Sequence, residues 1–113
     1  MTNTATDIGL RQVREATVRR HCEAENRHDV EAMLATFSPS RARYDVPAFG
    51  EAGQPTDAAS VRAVWEERAD WLGIPAAGRS FVIRAAAIYE FEGDQLVCER
   101  AYTDLADWMR QLQ

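Results

Sequence analysis

The sequence predicts one α+β domain, and three observations carry that prediction. The chain has 113 residues, a length that suits one compact domain and a core needing no disulfide staples. Apolar or small residues recur every three or four positions through its first half, the period of a helix face. From Phe81 onward the period becomes two, that of a strand.

Residues 1–6 read as a frayed tail of a single 1–113 domain. Asp7 is suited to cap a first helix, because a short carboxylate satisfies the orphan N–H groups of a first turn. Leu10, Val13, Thr17, His21 and Ala24 form its inner stripe, and Arg11, Arg14, Glu15, Arg19 and Glu23 its solvated side. Asp29 can cap a short second helix with Val30, Met33, Leu34 and Phe37 inward. Ser38-Pro39 ends it, since proline disfavours helix in the residue before it. The two helices should fold back as a hairpin.

Ala42–Val46 reads as a short strand halted by Pro47, and Phe49–Pro55, with two glycines, as a loop or tight hairpin. Thr56 or Asp57 opens a third helix whose stripe is Val61, Val64, Trp65, Arg68 and Leu72, stopped by Gly73 and Pro75. Phe81–Phe91 is a long strand, Glu92–Gln95 its turn, Leu96–Asp104 the return strand and Leu105–Leu112 a closing helix. Regular pairing about Gly93-Asp94 sets Phe91 against Leu96, Tyr89 against Cys98, Ala87 against Arg100 and Ala85 against Tyr102. One face would then carry Tyr89, Cys98, Arg100, Tyr102 and Asp104.

The charge balance excludes several classes. Thirteen Lys+Arg against eighteen Asp+Glu leave a net charge of −5, which argues against a nucleic-acid partner. Hydrophobic residues form 46% of the chain, too many for disorder, yet no run approaches the roughly 20 apolar residues of a membrane span. The first residues have neither the basic region nor the apolar stretch of a secretory signal, and two cysteines make no disulfide framework. A cytoplasmic chain with reduced thiols is the expectation.

The stretches H-C-E-A-E-N-R-H-D-V-E-A-M-L-A-T-F, R-Y-D-V, G-I-P-A-A-G-R, I-Y-E-F-E-G-D-Q-L-V-C-E-R-A-Y-T-D and R-Q-L-Q follow one another in an order that resembles SnoaL-like proteins of the polyketide-cyclase or ester-cyclase type, within the NTF2-like superfamily. The resemblance implies a cone: a curved antiparallel sheet packed by N-terminal helices around a pocket. It implies a homodimer, a small hydrophobic ligand, and acid–base chemistry on a carbonyl compound, of cyclase or isomerase type, without metal or organic cofactor. In polyketide cyclases a pocket aspartate near the end of the last strand is the acid/base, and Asp104 stands at that position. The sequence departs from the family between Asp70 and Trp71, where a two-stranded hairpin is absent. This shortened version should leave the strand over Phe81–Phe91 as a bare edge, for a second copy to cover. The alternative is a non-catalytic ligand-binding or dimerisation module with an opened pocket.

Asp104 has a bland reading beside the catalytic one, as the cap of Leu105–Leu112. Arg100 and Tyr102 could bind a ligand oxygen, or Arg100 could form a surface or interface ion pair. Tyr44 and Tyr89 are candidate pocket donors, or ordinary strand aromatics. His21 is a core or pocket-lining histidine. With Glu25 at i+4 it makes half a metal site, but spacing offers no third ligand, so no metal is expected.

Overall fold

The computed structural model describes residues 4–67 and 84–112. The elements are α1 (Thr4–Asn26), α2 (Val30–Leu34), β1 (Arg43–Asp45), a 3₁₀ segment (Pro47–Gly53), α3 (Ala58–Glu67), β2 (Ala85–Glu92), β3 (Gln95–Thr103) and α4 (Leu105–Leu112). Among the described residues, helices and a three-stranded sheet make an α+β fold. The expected stripe residues Arg68 and Leu72, with Trp71, Phe81 and the site of the missing hairpin, lie outside the described residues.

Helix α1 already includes Thr4–Thr6, so Asp7 sits in its first turn instead of at its cap. The carboxylate still opposes the positive end of the helix there. At the far end His28 turns left-handed, at φ 57, and the Asp29 N–H donates to Ala24 O at 3.0 Å. This is a Schellman closure on a non-glycine residue. It reverses the chain within three residues, and Asp29 then caps α2 by accepting from Ala32 N at 3.0 Å. Asp57 caps α3 in the same way, accepting from Ser60 N at 2.8 Å. Thr17, His21 and Ala24 are buried as the stripe predicts, but Val13 is 46% and Ile8 54% exposed. Among the described residues the first half of α1 is therefore less covered than its second half.

The sheet order is β1-β3-β2, with β2 antiparallel and β1 parallel to β3. The parallel pair corrects the all-antiparallel expectation. Tyr44 lies opposite Glu99 and Asp45 opposite Arg100. The β2–β3 turn is the expected two-residue one, between Glu92 and Gln95, with Gly93 at φ 58 supplying the positive φ of a primed turn.

Beyond the turn the register differs from the regular one. Phe91 pairs with Leu96, but Glu90 pairs with Cys98, because a bulge takes up Val97. Every later pair shifts by one: Tyr89 opposes Glu99, Ile88 opposes Arg100 and Ala86 opposes Tyr102. The predicted pairs of Tyr89 with Cys98 and Ala87 with Arg100 are thus corrected, and so is the face they defined. Tyr44, Tyr89, Leu96 and Glu99 turn toward the helices. Arg43, Asp45, Glu90 and Arg100 turn away and knit the outer face. Arg100 Nε donates to Asp45 Oδ2 at 2.9 Å and Arg100 Nη2 meets Glu90 Oε1 at 2.9 Å, while Arg43 Nη2 reaches Glu90 Oε2 at 3.2 Å.

The core between helices and sheet contains Ala24, Met33, Phe37, Ala42, Tyr44, Val61 and Leu96, and the partly buried Val30, Leu34, Tyr89 and Phe91 pack around it. Among the described residues no helix is long and apolar enough to cross a membrane.

Candidate functional site

One turn of α1, the end of α2 and the middle of the sheet bring a polar network into this core. His21 projects from the buried stripe of α1 and is 0% exposed. Its ring meets Phe37 and Tyr89 edge-on, with centroids 5.3 and 5.7 Å away. Glu25 stands one helical turn along α1. Glu99 enters from β3 because the bulge at Val97 aims it inward.

Hydrogen bonding fixes where the protons sit. The Thr36 hydroxyl donates to Met33 O at 2.6 Å, so its oxygen accepts the Nδ1–H of His21 at 2.8 Å. Nε2 faces two carboxylate oxygens, Glu25 Oε1 at 2.9 Å and Glu99 Oε2 at 2.8 Å. With both carboxylates ionised neither offers a donor, and Nε2 then carries the proton that makes the ring an imidazolium. The Tyr89 hydroxyl donates to Glu99 Oε1 at 3.2 Å and lies 3.5 Å from Cys22 Sγ.

The electrostatics agree. Burial is the largest influence on His21 and opposes its charge, but hydrogen bonds and attraction from Glu25 and Glu99 together raise its pKa from 6.5 to about 9. Burial raises the Glu25 pKa, helped by the nearby Glu99 carboxylate and opposed by His21. Both directions say the same thing: the cluster holds protons more tightly than its separated groups would. Burial and the Glu99 charge push the Tyr89 phenol far up, so it stays a donor.

His21, Glu25 and Glu99 each present a donor atom of the kind that binds divalent cations, all within 4.8 Å of one another. Spacing along the chain offers no third ligand beside His21 and Glu25; the fold supplies Glu99. The separations of 2.8 and 2.9 Å are hydrogen-bond lengths, and a shared proton satisfies them. Beside the network, a groove of about 380 Å³ between α1 and α2 is lined by Arg20, Glu23, Arg27, Ala32, Ala35 and Thr36. Thr36 is the wall it shares with His21.

Of the residues singled out from sequence, His21 and Tyr89 meet here. Tyr44 is buried in the adjoining core, its hydroxyl donating to Met33 Sδ at 3.2 Å and its ring edge-on to Phe37. Arg100 occupies the outer face of the sheet with Asp45 and Glu90. Tyr102 is on that face too, 50% exposed. Asp104 is exposed, and its Oδ1 accepts from Asp107 N at 3.0 Å, capping α4. Asp104→Ala is accordingly expected to cost about 1 kcal/mol and Asp104→Asn a few tenths, read by chemical denaturation. The sequence pattern alone does not single out Glu99 or Thr36. Strict alternation puts Glu99 on the solvent side, and no glycine marks the bulge that reverses it.

No family model matches the chain, and no curated protein matches it. Among solved structures it is similar to an NTF2-like protein from Burkholderia xenovorans LB400, with 15% identity over 90% of this chain and 97% of that one, at a TM-score of 0.61. It is also similar to an NTF2-like protein from Burkholderia pseudomallei K96243, with 20% identity over 89% of this chain and 98% of that one, at a TM-score of 0.61. A protein with a cystatin-like fold from Methylobium petroleophilum PM1 has 23% identity over 83% of this chain and 77% of that one, at a TM-score of 0.60. Element content and overall superposition agree: the chain has the NTF2-like fold.

Proposed function

We propose that the protein is a SnoaL-like acid–base catalyst acting on a small hydrophobic carbonyl compound, and that its reactive centre is the network of His21, Glu25, Glu99 and Tyr89. The observation that carries this reading is the imidazole Nε2 held between two carboxylates in an apolar core. Glu25 is the group that exchanges protons with a ligand, since its side chain is 25% exposed while that of His21 is 0% exposed. A carboxylate of raised pKa is a better base than a solvated one at neutral pH. It would take a proton from carbon beside the carbonyl, the Tyr89 hydroxyl would turn its one proton from Glu99 to the enolate oxygen, and the His21 imidazolium would hold Glu25 in place. This moves the acid/base role from Asp104, whose carboxylate caps a helix, to the buried cluster.

The test does not depend on the identity of the natural substrate. A panel of small aromatic and alicyclic ketones is incubated with the protein in D₂O, and exchange at the carbon beside the carbonyl is followed by proton NMR. Wild type is expected to accelerate exchange of at least one member, and Glu25→Gln to lower that acceleration about a hundredfold or more. Equal rates for the two proteins would defeat the reading. The complete enclosure of His21 favours a second one, a non-catalytic ligand-binding module. Ketones that shift the Tyr89 ring resonances without exchanging would support it.

A further inference from the structure

We propose that two copies of the chain join edge to edge through β2, across a two-fold axis at Ala87, into one continuous sheet. Among the described residues β2 ends the sheet order, so its outer N–H and C=O groups have no strand beside them. The stretch Ala85–Ile88 is exposed along its whole length. Its small side chains leave the backbone open to close approach, and no lysine, proline or bulge protects this part of the edge.

The occupant follows from the residue pattern. An antiparallel pair centred on Ala87 is self-complementary. It sets Ala86 opposite Ile88 of the second copy and Arg84 opposite Glu90 of the second copy. Ala86 neighbours Tyr102 within the chain. Tyr102, Ala86 and Ile88 of the second copy then form one cross-sheet row on the outer face. That row covers Ile88, 52% exposed, and Tyr102, 50% exposed. The next row brings the exposed Arg84 to a Glu90 carboxylate that is still 37% exposed despite its bonds to Arg43 and Arg100. Moving the axis one residue to Ala86 would oppose Arg84 to Ile88, a charge against an apolar side chain. The axis at Ala87 matches apolar with apolar and positive with negative, each match occurring twice by symmetry.

Sedimentation equilibrium over a dilution series is expected to find a reversible dimer. Ala87→Cys should then cross-link to itself on mild oxidation, because the two sites face one another, whereas Ala85→Cys should not. Arg84→Glu places like charges opposite each other at both ends and should raise the dimer dissociation constant about tenfold. A monomer at every concentration would overturn the proposal. So would a dimer that persists unchanged in Arg84→Glu and leaves Ala87→Cys uncross-linked, since that dimer would use another surface.

Discussion

Replacing His21 with Gln is expected to remove about 3 kcal/mol of folding stability at pH 6.5, and almost none of that difference should survive above pH 9. The sign follows from linkage. The His21 pKa is raised from 6.5 to about 9, so the folded chain binds this proton more tightly than the unfolded chain. The stabilisation is complete below pH 6.5 and is lost as pH climbs through the interval up to about 9. The raised pKa of Glu25 acts in the same direction at lower pH: the folded state keeps that proton longer, so stability falls as Glu25 ionises. Urea titrations of wild type at half-unit pH steps should therefore show a decline across 6.5 to 9 that the variant lacks. A wild-type profile as flat as that of His21→Gln would mean that Nε2 does not carry the proton that the hydrogen bonds demand.

Gln keeps one hydrogen bond to Thr36 or to a carboxylate, which makes it a milder choice than Ala. His21→Ala would leave Glu99, 7% exposed, as a buried charge with one phenol for company. Stranding a charge in this way costs about 3–5 kcal/mol in typical buried pairs, a large share of the roughly 5–15 kcal/mol that holds an ordinary domain folded. The network is thus integral to the fold and not an ornament on it. The same protons that would do chemistry also hold α1 to β3.

Much of this was legible in the sequence, and the remainder failed at identifiable residues. The stripe through Thr17, His21 and Ala24 reports a real buried face, and Asp29 and Asp57 report real caps, because these signals are local. Gly93 likewise marks its turn. The face of β3 differs from expectation for a single cause. One extra residue at Val97 reverses inside and outside for everything after it, so Glu99 rather than Arg100 looks toward His21. A bulge without glycine leaves no trace in composition, and period-two reasoning propagates the error along the whole strand. The site was half visible. His21 and Glu25 are one turn apart on one helix, whereas Thr36 and Glu99 join them only through tertiary packing, which spacing cannot express.

The second large effect is expected at Leu96, and it separates packing from protonation. Leu96 is 0% exposed, bridges in parallel to Phe37, and through its carbonyl accepts the Ser38 N–H at 2.8 Å. It therefore ties the exit of α2 to the start of β3, one residue before the bulge that aims Glu99. Leu96→Ala removes buried methyl groups where backbone on both sides limits collapse, so a loss of about 3 kcal/mol is expected, within the usual range of about 2–5. Leu96→Met, which conserves volume, should lose less than about 1.5 kcal/mol. Neither side chain titrates, so the Leu96→Ala deficit should be the same at pH 6 and pH 9, in contrast to that of His21→Gln. A Leu96→Ala deficit that shrinks with rising pH would mean that the cavity had released Glu99 from His21. In that event β3 is held in register by the ion pair, and the hydrophobic contact at Leu96 serves mainly to bring that pair together.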